Sequence, residues 1–160
     1  MNTKTKIVTA LMSLIAIFSL GATANEILAQ SETGTCKQVK GNLTVMFGPG
    51  TANGVIANGS ILSGTVSTAF GADSVRPTAD PTSFTFTGVS VITTGLGTVV
   101  TSDVYLFDVA IAVGPGMLRI DPANSTGRFA GATGVIYINT NFAEPLGHAQ
   151  LGGKICLTGE

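Results

Sequence analysis

Three side chains in the second half of the chain have types and spacing that could do chemistry. Asp103 and Tyr105 are two residues apart in a run that reads as a β-strand, so both should point to one face of the sheet. Arg119 follows on the next predicted strand. Inside an apolar barrel such a set could bind an oxygenated ligand or act as acid and base. The simpler interpretation is that these groups face solvent, or that Asp103 pairs with Arg119 across the strands.

The rest of the sequence offers little for catalysis. His148 is the single histidine and stands beside Gly147 near a predicted strand start, which is more typical of a surface residue than of a general base. Neither a Cys/His/Asp cluster with metal-ligand spacing, nor a glycine-rich phosphate loop with lysine, nor Gly-x-Ser-x-Gly occurs. The sequence therefore predicts no metal and no cofactor.

Short strands with tight turns must position these side chains. Alternating apolar and polar residues predict strands at 39–47, 55–57, 60–70, 83–93, 98–113, 117–121, 135–140 and 148–158. We expect a bend or bulge near Asp108 and a kink at Gly152-Gly153. Turns are predicted at Gly48-Pro49-Gly50, Asn53-Gly54, Asn58-Gly59, Gly95-Leu96-Gly97 and Gly114-Pro115-Gly116, and residues 73–81 form a candidate rim loop.

This spacing predicts an all-β fold, either a sandwich or a single antiparallel barrel of about eight strands, with the barrel preferred. An immunoglobulin-like sandwich would need a Trp between its cysteines, and the chain has no Trp. Seven phenylalanines are available to fill so small a barrel, which favours a largely filled interior.

The connection from Asp121 to Thr140 is the organising corner of the predicted fold. Its glycines, Gly127, Gly131 and Gly134, allow positive φ or close approach to a neighbouring strand. Phe129 is the large apolar residue of the corner and should turn inward to fill the barrel end, while Arg128 stays at the rim.

The corner, STGRFAGATG, resembles that of the dirigent and allene oxide cyclase-like barrels, and more closely that of a group of exported bacterial barrel proteins. The resemblance covers the corner and, more loosely, the strand order from Ser83 onward. It implies a barrel whose mouth can hold an apolar substrate or ligand. Because dirigent-like barrels are often trimers, it also leaves an oligomer open.

The N-terminus reads as a secretory signal. Two lysines precede an uncharged apolar run from Ile7 to Leu20, and Ala22-Thr23-Ala24 supplies small residues for cleavage before Asn25, with cleavage before Gln30 as the alternative. An uncleaved anchor helix is the other interpretation. The predicted organisation is a signal peptide over 1–24, extending at the latest to 29, a linker over 25–35 and a barrel domain over 36–160. The protein would be secreted, periplasmic or at the cell surface.

Cys36 and Cys156 are the two cysteines of the sequence, and in an exported chain such a pair favours a disulfide over free thiols. They lie just before the first predicted strand of the barrel and inside the last. A bridge between them would bring the first and last strands together, as in a closed barrel. In the chain-entropy model it would contribute on the order of 4–5 kcal/mol.

Two classes of function follow from these predictions. The first is an exported non-enzymatic barrel, which is either a binder of a small apolar ligand or a surface or matrix component. The second is a cyclase-like or dirigent-like enzyme that steers ring closure or coupling of an apolar substrate. Without its signal the chain is mildly acidic and has no basic stripe, which argues against nucleic acid and anionic membrane surfaces as partners. No later segment is apolar for long enough to form a membrane-spanning helix.

Overall fold

A computed structural model describes residues 34–142 and 146–159 of the chain, and within them the regular structure is almost entirely β. The strands are β1 Thr35–Gly48, β2 Thr51–Ala57, β3 Gly64–Phe70, β4 Arg76–Pro77, β5 Ser83–Thr94, β6 Gly97–Asp108, β7 Val113–Ile120, β8 Thr133–Asn141 and β9 Gly147–Leu157. The predicted signal peptide, both of its cleavage sites and most of the predicted linker lie outside the described residues.

Eight of the strands close into an antiparallel barrel, which confirms the predicted fold class. Each strand pairs with the next around the barrel, β3 pairs directly with β5, and β9 returns to pair with β1. The two-residue strand β4 lies outside the barrel, against the start of β5. Closure leaves the eight barrel strands without a free edge, because each has a partner on both sides.

Side chains alternate between the barrel interior and its outer surface, as the period of a strand requires. The interior positions form one buried apolar cluster that draws on every strand of the barrel. The fully buried side chains at its centre include Ile92, Val99, Ile136 and Ile155. The central part of the interior is therefore filled by side chains, as predicted for a small barrel.

The disulfide lies where β1 begins and β9 ends, and this end of the barrel is called the disulfide end below. Cys36 and Cys156 are directly opposite each other in the β1–β9 register, and the structure joins them by a disulfide bond. The pairing of first and last strands that the two cysteines predicted is thus present in the fold.

The predicted corner closes the disulfide end. Residues Gly127–Phe129 form a 3₁₀ turn, and Phe129 is completely buried while Arg128 is exposed. The turn is tied to the β5–β6 hairpin by a hydrogen bond from the Arg128 N–H to the Leu96 carbonyl, 2.9 Å long. Positive φ values of 62° at Gly127, 73° at Gly131 and 138° at Gly134 confirm why the corner uses glycine.

Two predicted features around β2 and β3 were wrong. Asn53-Gly54 is not a turn but the middle of β2, paired with β1 on one side and β3 on the other. A Cβ on Gly54 would meet the Leu43 side chain at 2.8 Å, so glycine here serves packing and not a turn. The strand predicted from Ser60 starts at Gly64. The Asn58-Gly59 turn is present, with a positive φ of 54° at Asn58.

The predicted long strand 98–113 is in fact two strands. The chain turns at residues 109–112, where the Ala110 N–H donates to the Asp108 carboxylate at 2.9 Å and Ala112 has a positive φ of 53°. Gly114-Pro115-Gly116, predicted to stop the strand, lies inside β7. Both glycines face the interior, where a Cβ on Gly116 would meet the Tyr105 ring at 2.6 Å. Their small size makes room for aromatic rings and does not mark a turn.

A kink was predicted in the last strand at Gly152-Gly153. In the structure, β9 pairs with β1 and β8 through both glycines without interruption.

Candidate functional site

Asp103 and Tyr105 both point into the barrel, whereas Arg119 does not. The exposed fraction is 2% for Asp103 and 8% for Tyr105, so the interpretation that these two side chains face solvent is wrong. In the β6–β7 register, Arg119 is opposite Ser102 on the exposed outer face, and Leu118 is opposite Asp103. The predicted Asp103–Arg119 pair is therefore wrong, because the two side chains lie on opposite sides of the barrel wall.

Hydroxyl groups replace the arginine as partners of the buried carboxylate. Asp103 Oδ1 accepts a hydrogen bond from Thr101 Oγ1 at 2.6 Å, and Oδ2 accepts one from the Tyr105 hydroxyl at 2.9 Å. Ser90 Oγ also donates to Oδ2. With Asp103 ionised, the Ser90 proton is used in this way, and Thr68 Oγ1 is then the donor in its 2.7 Å contact with Ser90. The five side chains form one connected network, called the polar network below.

Burial controls the electrostatics of this network. Removal from water raises the pKa of Asp103 above its usual value, and the hydrogen bonds from Ser90, Thr101 and Tyr105 offset this only in part. Burial, followed by the neighbouring Asp103 carboxylate, raises the pKa of Tyr105 as well. Every buried side-chain nitrogen and oxygen in the described residues has a hydrogen-bond partner. The network is thus fully satisfied within the protein.

Sequence reasoning missed Thr68, Ser90 and Thr101. All three occupy inward positions on their strands; Ser90, for example, alternates in phase with Phe86 and Ile92. A hydroxyl residue at an inward position of an otherwise apolar strand is the signal that could have identified them. Using it requires knowing which strands are neighbours, because Thr68 on β3 meets Ser90 only through the β3–β5 pairing.

The end of the barrel opposite the disulfide is an apolar hollow, called the aromatic mouth below. Its volume is about 390 Å³, and it is lined by phenylalanine, glycine, alanine and valine residues. The rings that surround it are Phe47, Phe70, Phe84, Phe86, Phe107 and Phe142. They contact one another, with centroid distances such as 4.5 Å for Phe107–Phe142 and 5.1 Å for Phe70–Phe86.

The predicted rim loop, residues 73–81, borders the mouth through Val75. The Val75 side chain lines the hollow and is 54% exposed, and Gly71 and Ala72, just before the loop, line it as well. Ser74 anchors this loop through its Oγ–H, which is shared between the Gly71 carbonyl at 2.8 Å and the Thr87 carbonyl at 3.1 Å. The loop therefore holds the apolar Val75 side chain at the edge of the mouth.

A small cavity lies between the aromatic mouth and the polar network. Its volume is about 40 Å³, and it shares Phe70 and Phe86 with the mouth and Thr68 and Tyr105 with the network. The Tyr105 ring stacks on Phe86 with a centroid distance of 5.0 Å and an interplanar angle of 16°. The site is thus graded, with apolar rings outside, one hydroxylated ring below them, and the carboxylate deepest.

Other classes of site lack support in the part of the chain that the structure describes. No group of three His, Cys, Asp or Glu residues there could hold a metal ion. No helix there is long and apolar enough to cross a membrane. His148 is exposed on the outer surface of β9, away from the polar network.

Comparison with known proteins identifies no relative. No model of a protein family matches the chain, and no match was found among curated proteins or among solved structures. The function must therefore be argued from the geometry of the barrel itself.

Proposed function

We propose that this protein is an exported, non-enzymatic barrel that binds a small apolar ligand in the aromatic mouth. The observation that carries the proposal is the hollow of about 390 Å³ ringed by six phenylalanines and free of polar lining side chains. Ligand pockets of this size bury most of a small molecule against hydrophobic and aromatic groups. The disulfide supports an oxidising compartment and hence export.

The aromatic mouth favours a compact, uncharged ligand. Its rings offer π-faces and edges but no cationic partner, so an anionic ligand would lose hydration without compensation. The cavity of about 40 Å³ below can admit at most a small group toward Thr68 and Tyr105. A ligand with an apolar body and one short polar end matches this gradient.

The test is titration with the neutral apolar dye N-phenyl-1-naphthylamine, followed by its fluorescence. We expect saturable binding by the parent protein. Val75→Asp should raise the dye's apparent Kd about tenfold or more, because it places a charge at the edge of the hollow. Val55→Asp is the matched control, since Val55 has the same 54% exposure but lies on the outer face of β2.

Absence of saturable binding, or equal Kd values for the two variants, would contradict the proposal. A surface or matrix component that uses only its outer face would give the first of these results. Thermal unfolding midpoints close to that of the parent would show that both variants are folded.

The enzyme alternative would use the same mouth and the polar network beneath it. Asp103, whose pKa burial raises, would serve as the acid, and Tyr105 would be the member of the pair that lines the inner cavity. The complete internal pairing of the network favours a structural role instead. Should an apolar substrate be turned over, Asp103→Asn would abolish turnover while dye binding persisted; a structural network predicts no turnover in either protein.

A further inference from the structure

A second hollow lies on the outer surface of the barrel, across β1, β9 and β8. Its volume is about 540 Å³, larger than that of the aromatic mouth. The outward-facing polar side chains at its edge are Asn42, Thr44, Asn139, Asn141, His148 and Gln150, and all six are exposed. We call this surface the amide face.

Strand register arranges the amide face in two rows. Asn42 on β1, Gln150 on β9 and Asn139 on β8 are opposite one another in one row. Thr44, His148 and Asn141 form the next row, two residues along each strand. With strands about 4.8 Å apart and about 6.8 Å between alternate residues, the face covers roughly 10 Å by 7 Å.

The chemistry of the amide face selects a neutral ligand with many hydroxyl groups. A side-chain amide offers two donors and an acceptor, a hydroxyl offers both functions, and neutral histidine offers one of each. No Asp, Glu, Lys or Arg lines the hollow. An ionic ligand would find no opposite charge there, whereas neighbouring hydroxyl groups on a ligand can both donate to and accept from a pair of amides.

An aromatic ring stands beside these rows. Tyr137 is on the same outer face of β8, two residues before Asn139, and is 58% exposed. Its partner on β9 is Gly152, and a Cβ built there would have nothing within 4 Å. The glycine therefore leaves an open shelf between the ring and Lys40, its exposed partner on β1, and the apolar face of a flat ligand can lie there against the ring.

We propose that the amide face and Tyr137 together bind a saccharide. Hydroxyl groups of the sugar would pair with the row that contains Asn139 and Gln150, and the C–H face of a ring would rest on Tyr137 over the shelf at Gly152. The site is distinct from the aromatic mouth, and the proposal does not depend on the mouth binding a ligand. The footprint is roughly that of a disaccharide, so either a free oligosaccharide or a stretch of a polysaccharide chain would supply the same chemistry.

The test is native electrophoresis of the full barrel through gels that contain dextran, hydroxyethyl cellulose, galactomannan or alginate. We expect slower migration in at least one of the three neutral polysaccharides, with alginate as the anionic comparison. Tyr137→Ala and the double variant Asn139→Ala/Gln150→Ala should each raise the apparent Kd about tenfold or more. Thr93→Ala, on the exposed outer face of β5, is the matched control and should migrate like the parent.

Competition separates the two sources of ligand. If maltohexaose or cellohexaose restores normal migration, the face binds free oligosaccharides; if neither does while retardation still depends on Tyr137, it binds the polymer. Unretarded migration of the parent in all three neutral gels would overturn the proposal. Equal retardation of the parent and the double variant, with unchanged thermal midpoints, would overturn it as well.

Discussion

Asp103 is the residue whose environment is least expected in this barrel. An ionised carboxylate in an apolar interior loses its hydration, and the loss is tolerable when hydrogen-bond donors replace the water. Thr101, Ser90 and Tyr105 provide three such donors. Alternation predicted that Asp103 and Tyr105 share a face, and the same alternation places Thr101 on it. Ser90 could not be predicted as a donor, because it comes from another strand.

The raised pKa of Asp103 predicts a specific dependence of stability on pH. A carboxyl whose pKa is higher in the folded than in the unfolded protein binds its proton more tightly when folded. Its stabilising contribution to the free energy of unfolding is therefore fully present below the pKa of the unfolded protein, about 3.9. It is lost as pH rises from there through the folded pKa. We expect the free energy of unfolding of the parent, relative to that of Asp103→Asn, to fall across this window and then level off.

The measurement is the urea midpoint of both proteins between about pH 3 and 7, where the titration of an ordinary Asp is covered. Asp80 and Asp121 have lowered pKa values, which act in the opposite direction, but they are present in both proteins and cancel in the difference. A difference that rises with pH would mean that the hydroxyl donors outweigh the effect of burial.

A second prediction at the residue scale concerns the packing of Phe129. The ring is fully buried at the disulfide end, so Phe129→Ala should lower the free energy of unfolding by about 3–5 kcal/mol. Gly131→Val should lower it by about 1–3 kcal/mol, because φ is 73° and its Cβ would be 2.9 Å from Thr158 Oγ1. Exposed Arg128→Ala should have a much smaller effect. Denaturant midpoints with the disulfide intact check the order; if Arg128→Ala is the most damaging, Phe129 is not the residue that closes the barrel end.

At the scale of elements, β7 shows where a sequence pattern misleads. Gly-Pro-Gly is typical of a turn, yet residues 114–116 are inside a strand, and the turn lies in the preceding apolar stretch. Packing decides the outcome, since the rings of Tyr105 and Phe142 occupy the space that side chains at 114 and 116 would need. This packing constraint involves residues distant in sequence, so it cannot be predicted from local turn propensity.

Gly116 offers a direct test of this explanation. Gly116→Ala should destabilise the barrel by about 1–3 kcal/mol, because the new methyl group overlaps the buried Tyr105 ring. Gly152→Ala is the matched control in a neighbouring part of the sheet, where the methyl group meets nothing within 4 Å. It should be neutral or stabilising by about 0.4–1 kcal/mol. Equal thermal shifts for the two variants would mean that the glycines of β7 are not packing positions.

At the scale of the whole molecule, the closed barrel could be predicted, whereas the aromatic mouth and the amide face could not. Strand spacing and the placement of Cys36 and Cys156 at the ends of the barrel sequence were enough for the fold class. The aromatic mouth and the amide face depend on which strands are neighbours and in what register. Asn42, Asn139 and Gln150, for example, come from three strands and align only because β9 lies between β1 and β8.

The disulfide also decides how the molecule responds to mechanical load. Cys36 and Cys156 are separated by 120 residues in sequence yet are adjacent in space, so tension applied at the two chain ends passes directly from one cysteine to the other. The barrel strands between them carry none of that tension. In a single-molecule pulling experiment, the oxidised protein should yield no extension from these residues. Reduction, or Cys156→Ser, should release them at about 3.3–3.6 Å per residue. A barrel held by both ends would thus keep its shape, and with it the aromatic mouth and the amide face, under a force that would unravel the reduced chain.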